Sequence, residues 1–449
     1  MITPAAVASA IGAPDSVAHF QTSKIAEWHK IYTCEPLKLT FDTASGSIKR
    51  DRLSLRLAPR ICEDWAGLLW GEGSHVTGND LVDIVMGEDF YPRLTSNAES
   101  TMAMGTGALE IIADLDVTEQ GTIQSVSSLY VDTVDAPNIY PLRWSRGEVT
   151  AVAFVSFDDD ATHFTVRTHS HDGLRGGVVN QRFRTWGNGS RQVELPEGVV
   201  QSFTYEGAPL FRVWHTAINN AVWPKGPYGV SVLDRAKDAL ELLDAAFDNT
   251  VADINLGRKM IMLPEAMYRR DDSGNMIPPQ KDRTQLFVSF DQTGFDSAKP
   301  FEFNPDLRVG DNTAAIETAL SLAGEMVGMG AERYRYRDGQ VATATQIISE
   351  QSVTYRQRAK HLKALVPALQ AIAEAVAEWG QKHMDIPYGE PTVIVDDSIV
   401  TDEGTNLAEG RALHAAGLLS TEKFLTDYRK LSAEEAAEEA ARLAVTPLF

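Results

Sequence analysis

Three histidines at even spacing, His163, His169 and His171, are the side chains whose type and pattern come closest to a chemical site. Residues an even number apart share one face of a strand, so the three could offer imidazole nitrogens to one metal ion. No cysteine or carboxylate at ligand spacing completes such a set, and an ordinary solvated strand face gives the same pattern, so no metal is expected. Asp158, Asp159 and Asp160 could act as catalytic or Ca²⁺ carboxylates, yet three in a row between strand-like segments read more simply as a solvated turn. Asp396, Asp397 and Asp402 could hold Mg²⁺, with turn residues at a strand end as the simpler reading. The GEGSH run at 71–75 lacks the preceding strand and the following helix that a phosphate loop needs. There is no zinc-protease motif, no His-Asp-Ser order and no G-x-x-x-x-G-K-[ST] loop. A soluble hydrolase would therefore have to work through paired carboxylates, and an ATP-driven motor of standard form is excluded. No catalytic residue and no cofactor is expected.

Composition narrows the field further. The chain has 449 residues, 43% hydrophobic and 23% charged, enough to bury a large core in two to three domains without disorder. Cys34 and Cys62 are too few for a disulfide framework and fit no metal spacing. The opening MITPAAVASAIGAPDS has neither a basic start nor an unbroken apolar run, which makes a poor signal peptide. No run approaches the 18 or so apolar residues of a membrane span. A net charge of −21 argues against a protein that simply grips nucleic acid. It is compatible with one that lets DNA slide past, because a like-charged wall repels the backbone, and equally with plain solubility.

The elements that must carry these residues follow from periodicity. From Thr343 to Trp379, apolar residues at Ile347, Val353, Leu362, Leu365, Val366, Leu369, Ile372, Val376 and Trp379 predict a helix with one buried face. It would be roughly 55 Å long at about 1.5 Å per residue. Pro367 inside it is predicted to bend the rod, at about 3 kcal/mol unless neighbours compensate. Helices are also predicted over 16–32, over 51–73 (Leu53, Leu57, Ile61, Trp65, Leu68, Leu69), and from a Ser231 cap to Gly257 (Leu233, Leu240, Leu243, Phe247, Val251, Ile254). A further helix is predicted over 313–327. Between Thr106 and Val213 the period shifts towards two, predicting a mostly antiparallel layer with strands over 108–113, 122–134, 149–157, 162–169 and 192–195. Met260–Leu263 and Leu286–Phe290 read as strands flanking a polar tip, and Ser420 and Ser432 open capping-box patterns in a C-terminal set of small helices.

Several of these segments resemble, in order, the portal proteins of long-tailed bacteriophages. TATQIISEQSVTYR, preceded by GMGAERYRYRDGQV, is similar to that family's glycine-ended helix, tyrosine-containing loop and following helix start. RLSLRLAPRICEDWAGLL, NIYPLRWSRGEVTAVAF, YGVSVLDRAKDALELLDAAFDNTVADINLGRKMIMLP and VIVDDSIVTD…AAGLLSTEKFL resemble further stretches of it. The resemblance spans about Trp28 to Leu443. It implies an α+β portal fold: a β-rich wing (1–226), a stem helix (227–257), a clip hairpin with strands (258–310), and a second stem helix (311–329). A tunnel loop (330–342), a long kinked helix (343–383) and a C-terminal helical crown (384–449) would follow. It implies a non-enzymatic twelve-fold ring of identical chains, the head–tail connector at one capsid vertex of the virion, assembled in the host cytoplasm. Double-stranded DNA would pass through it non-specifically during packaging and ejection. Large terminase, a head–tail adaptor, and the major capsid and scaffolding proteins would be its partners, with no membrane. By the same resemblance Arg333, Tyr334, Arg335, Tyr336 and Arg337 form the tunnel loop, its arginines touching phosphates. Asp234, Asp238, Glu241, Asp244, Asp248 and Asp253 line the channel, and Arg269, Arg270, Asp271, Asp272 and Asn275 belong to the partner-binding clip. A plainer alternative for the loop is that its arginines only pair with neighbouring Asp or Glu. For the whole chain the alternatives are another structural virion protein or a soluble carboxylate hydrolase.

Overall fold

A computed structural model describes residues 2–43, 46–71, 73–160, 162–186, 189–257, 260–264, 269–270, 272–273, 276–277, 286–290, 301–303, 306–335, 344–396, 410–415, 419–429, 436–437 and 440–442. Over these the fold is mixed α+β. It opens with α1 (Pro4–Ala10) and α2 (Asp15–Phe20), which runs through a π-helical turn at Gln21–Ile25 into α3 (Ala26–Tyr32). The turn places Gln21 inside, where its amide donates to the Ala136 and Ile139 carbonyls at 2.8 and 2.7 Å. Phe20 stacks on Tyr228 at 4.9 Å and meets Trp28 edge-on, so this first helical stretch is pinned by aromatic packing.

A hairpin of β1 (Lys38–Thr43) and β2 (Gly46–Asp51), in register Lys38↔Asp51, precedes α4 (Leu57–Leu69). The helix predicted from Asp51 therefore starts six residues later. The hairpin takes up residue 51, and Arg56 has a left-handed backbone at φ 56° that no helix accommodates. Leu53 is left exposed, whereas Ile61, Trp65 and Leu69 are fully buried. Then come β3 (His75–Thr77), α5 (Asp80–Val85, capped by the Asn79 side chain) and α6 (Tyr91–Met104). Gly105 ends α6 at φ +81°, with the backbone of Val230 so close that a Cβ would sit 2.6 Å from its nitrogen.

The β-rich region holds β4 (Thr106–Val117), β5 (Ile123–Asp135), β6 (Ile139–Ser145), β7 (Glu148–Phe157), β8 (His163–His171), β9 (Arg175–Trp186), β10 (Gly189–Val193), β11 (Ser202–Glu206) and β12 (Phe211–His215). One sheet is an antiparallel meander, β6-β7-β8-β9, whose last strand pairs β10 along one half and β11 along the other. The other is β12-β4-β5. Ala108, Val134, Ile139, Val152, Phe154 and Phe211 fill the space between them. β9 was hidden from periodicity because its Arg175-Gly176-Gly177 start reads as a turn and polar Asn180 occupies an inward position.

The second half contains α7 (Lys237–Leu256), β13 (Met260–Pro264), a short ladder of β14 (Arg269–Arg270) and β15 (Met276–Ile277), β16 (Leu286–Phe290) and β17 (Phe301–Phe303). α8 (Val309–Met326), α9 (Ala344–His383), β18 (Thr392–Ile394) and α10 (Thr421–Arg429) complete it. β13 and β16 pair in parallel, Met260↔Leu286, so the two strands flanking the polar tip are not the arms of one hairpin; that role falls to β14 and β15. α9 runs unbroken through Pro367 for 40 residues, about 60 Å. Its stripe of Leu365, Leu369, Ile372, Val376 and Trp379 is buried to within 1% and anchors the main core. β18 closes the structure on its beginning by pairing antiparallel with β3, Thr392↔Thr77.

Candidate functional site

The site grows from the pairing of α7 with α8. Leu243 on the first and Ala319 and Leu320 on the second form a small separate core, with Leu55, Leu57, Ile316 and Tyr334 packed around it. The sequence predicted α7 to start at a Ser231 cap; it starts at Lys237. Residues 230–234 are held out of the helix by tertiary bonds: Val232 N–H donates to Met102 O at 3.0 Å, and the Trp28 indole donates to Asp234 Oδ1 at 2.7 Å. Ser231 Oγ accepts from Leu233 N–H in a local turn instead of capping the helix.

The six carboxylates expected as one channel-facing row divide into two groups. Asp238 and Glu241 are exposed. The others bind neighbouring parts of their own chain. Asp244 accepts from Leu55 N–H at 3.0 Å, and Asp248, only 6% exposed, accepts both Arg50 guanidinium nitrogens at 2.7 and 2.6 Å as well as Leu53 N–H. Asp253, near the end of α7, accepts from the Arg308 backbone N–H and side chain and from the Asn312 side-chain amide, tying the start of α8 to the end of α7. The Arg50 hydrogen bond holds the Asp248 carboxyl below its ordinary value, and Arg308 does the same for Asp253. These carboxylates are fasteners that tie the β1–β2 hairpin and α8 to α7.

α8 ends in a Schellman turn, with Gly328 N–H donating to Glu325 O and Met329 N–H to Gly324 O, and with Gly328 and Gly330 in left-handed conformation. Gly324 is required here, since a Cβ would come within 2.4 Å of Gly330 O. The turn folds the described part of the arginine–tyrosine loop back onto α4 and α8. Tyr334 donates to Asp64 Oδ2 at 3.2 Å, Arg333 lies 3.5 Å from the same oxygen, and Arg60 reaches the other oxygen at 3.1 Å. Arg335 pairs with Glu332 at 2.7 Å and approaches Glu317 at 3.8 Å. Burial, with the Asp64 charge behind it, pushes the Tyr334 phenol well above its ordinary value. Arg333 and Arg335 thus pair with acids of their own chain, while Tyr336 and Arg337 lie outside the described residues. In the expected clip, Asp272 is exposed in the turn and the backbones of Arg269 and Arg270 form β14. Asp271 and Asn275 lie outside the described residues, as do Asp397, Asp402 and Ser432.

Two residues that sequence reasoning passed over are central. Asp64 is the common partner of the loop. Arg358 of α9, 1% exposed, donates to the Leu68 and Asp396 carbonyls at 2.6 Å each, joining α9 to the end of α4 and to the segment after β18. The signal was present: Arg358 falls in phase with the apolar stripe, four residues before Leu362 and seven before Leu365.

The histidines do not converge. His163 bonds Asp160 at 2.5 Å, His171 Nε2 donates to Gly207 O at 2.8 Å, and His169 is buried against Glu110 at 2.6 Å. Among the described residues no cluster of ligating side chains could hold a metal. A cleft of about 1210 Å³ beside the β11–β12 turn contains three carboxylates, each already engaged. Glu148 pairs with Arg212, Glu206 with Arg175, and Asp172 accepts the backbone N–H groups of Leu174 and Arg175. The last contact lowers the Asp172 pKa, the opposite of what a general acid requires. No described helix is long and apolar enough to cross a membrane. No protein-family model matches this chain, and no curated protein matches it in sequence.

Proposed function

We propose that this chain is a portal protein of the kind found in long-tailed bacteriophages, a ring-forming channel through which double-stranded DNA is packaged and released. The observation that carries the reading is an order of elements. A helix pair, α7 and α8, is separated by small strands, followed at once by a glycine-ended turn with an arginine–tyrosine loop, and then by a 40-residue helix. Twelve copies would close head to tail around a hole, each touching two neighbours through different faces. Such a ring needs no chemistry of its own. Its acidic charge keeps DNA from adhering, and the tunnel loop supplies phosphate contacts without sequence preference. Arg333 and Arg335 keep 51% and 37% of their side chains exposed beside their ion pairs, so they hold the loop base while still adding positive potential. Terminase, adaptor and capsid contacts would fall on the clip and the outer wing.

Negative-stain images and native mass spectrometry of the purified chain test this directly. A toroid with an axial hole is the expected result; a chain that stays monomeric at high concentration refutes it. Within an assembled virion, Arg333→Ala/Arg335→Ala/Arg337→Ala should impair DNA packaging or retention. Normal packaging by that variant would remove the loop from the account and leave the ring.

A further inference from the structure

A groove of about 710 Å³ runs between α3 and α7 at the base of the β1–β2 hairpin. Ile31, Leu37, Leu57 and Leu240 line it, and Leu37 is 52% exposed, an apolar side chain with no cover in the single chain. Of its basic residues, Lys237 is taken by Glu27 at 2.7 Å and Lys30 by Glu35 at 3.5 Å. Lys38 and Arg52, brought together at the hairpin base where Arg52 N–H donates to Leu37 O, have no ion-pair partner among the described residues. The groove therefore presents an apolar floor with Lys38 and Arg52 at its hairpin end, Arg52 also lying in the field of Asp248, and with the exposed Glu241 and the hydrogen-bonded Asp244 on its α7 side.

The last turn of α8 offers the complement. Leu322, Glu325 and Met326 are exposed together, the two apolar side chains at 42% and 48%. Spacings of three and four place them on one outward face, opposite the Ala319, Leu320 and Ala323 side that packs inward. Every charge on α8 is negative: Asp311, Glu317 and Glu325. No α8 residue lines the groove of its own chain, so groove and helix face are two different surfaces of one subunit.

We propose that the groove of one subunit receives the α8 face of a second copy. Leu322 and Met326 cover Leu37 and Ile31, and Glu325 pairs with Lys38 and Arg52. Because the two surfaces differ, each subunit keeps one free groove and one free α8 face, so the contact propagates until the ring closes. The proposal deepens the ring reading above and rests on it.

Charge exchange tests it. Lys38→Glu/Arg52→Glu makes the groove acidic, and Glu325→Arg makes the helix face basic; all three positions are on the surface, and circular dichroism checks that each variant folds. Alone, each variant should need at least a tenfold higher concentration than wild type to assemble, read by native mass spectrometry. Mixed one to one, the acidic groove meets the basic helix and the native groove meets the native helix, and rings should return. Folded variants that assemble alone as wild type does, or that fail to reassemble when mixed, overturn this contact while wild-type rings leave the ring reading standing. A wild-type chain that forms no ring under any condition overturns both.

Discussion

Glu110 sets the sharpest stability prediction. Its carboxylate lies between the two sheets at 3% exposure, accepting from His169 Nε2 at 2.6 Å through one oxygen and from Arg167 at 3.0 Å through the other. His169 is itself fully buried, with Phe154 and Phe211 5.6 and 5.5 Å from its ring. Glu110→Gln keeps the shape and removes the charge. Taking one partner from a buried ion pair costs about 3–5 kcal/mol. Gln can still accept one of the two bonds, which points to the lower end, about 3 kcal/mol, or roughly a 1 M fall in urea midpoint for an m near 3 kcal/mol/M. The pH dependence follows the same geometry. Burial pushes the carboxyl pKa up, but the His169 hydrogen bond and the charges of His169 and Arg167 outweigh it, and the net shift is downward. A folded pKa below the unfolded one gives stability that is present above the unfolded value of about 4.5 and is lost as pH falls through the folded pKa. Urea titrations at pH 7 and in steps below pH 4.5 should show a steeper acid loss in wild type than in Glu110→Gln. A variant within about 1 kcal/mol of wild type at pH 7, with an unchanged acid limb, would falsify the assignment of a buried ion pair that clamps the sheets.

The remaining predictions concern the fasteners and the long helix. Asp248→Ala releases Arg50 and Leu53 together and should cost about 2 kcal/mol, with proteolytic cleavage appearing near residues 38–56; cleavage no faster than in wild type counts against the hairpin being tied to α7. Burial drives the His361 pKa down to about 4, while its Nδ1 accepts from Ala217 N–H. Because the unfolded imidazole takes its proton first, His361 should lose roughly 3 kcal/mol of stability as pH drops from about 6.5 to about 4, and since His215, also driven down to about 4 by burial, acts over the same window, His361→Gln should reduce the slope by about half; an unaltered profile argues against the assignment. Pro367→Ala gives back a backbone N–H in mid-helix and should raise stability by up to about 3 kcal/mol; no gain in urea midpoint means that neighbouring groups already compensate.

What the sequence made legible was periodicity. The stripe of α9 and the strands β4, β5, β7 and β8 depend on local spacing, and the structure has each of them, although residues 106–111 of β4 and 151–155 of β7 are buried on both faces and do not alternate. The errors cluster where a distant contact overrides local preference. Residues 231–236 carry a helical pattern and a capping serine, but Met102 O and the Trp28 indole hold the backbone in turns. Leu53 matches the spacing of α4, but the hairpin and the left-handed Arg56 remove it from the helix. The α7 carboxylates show the same limit at the level of side chains. Spacing along one helix predicts which way a carboxylate faces, and says nothing about Arg50, nearly two hundred residues away, which comes to meet Asp248. Long-range ion pairs have no periodic signature. Arg358 is the instructive exception, because a cation standing in an apolar stripe must find carbonyls to bond if the helix is to be buried at all.

α4 connects the loop to the long helix. Asp64 and Leu68 are four residues apart and so lie on one side of that helix, where Asp64 holds Tyr334 and Arg333, and the Leu68 carbonyl receives Arg358 from α9. The last turn of α4 leaves carbonyls without intrahelical donors, and the buried Arg358 guanidinium satisfies one of them while balancing the negative end of the helix dipole. On the other side of the loop, Thr354 of α9 donates to Met329 O at 3.2 Å, so the glycine turn that ends α8 is also fixed to α9. Residues 329–334 are therefore bonded to both helices. A rigid shift of α9 relative to α4 must break the bond from Arg358 to the Leu68 carbonyl, which joins the two helices directly. It must break a second bond as well: that of Thr354 to the Met329 carbonyl if the loop base stays with α4, or that of Tyr334 to Asp64 if the loop base follows α9.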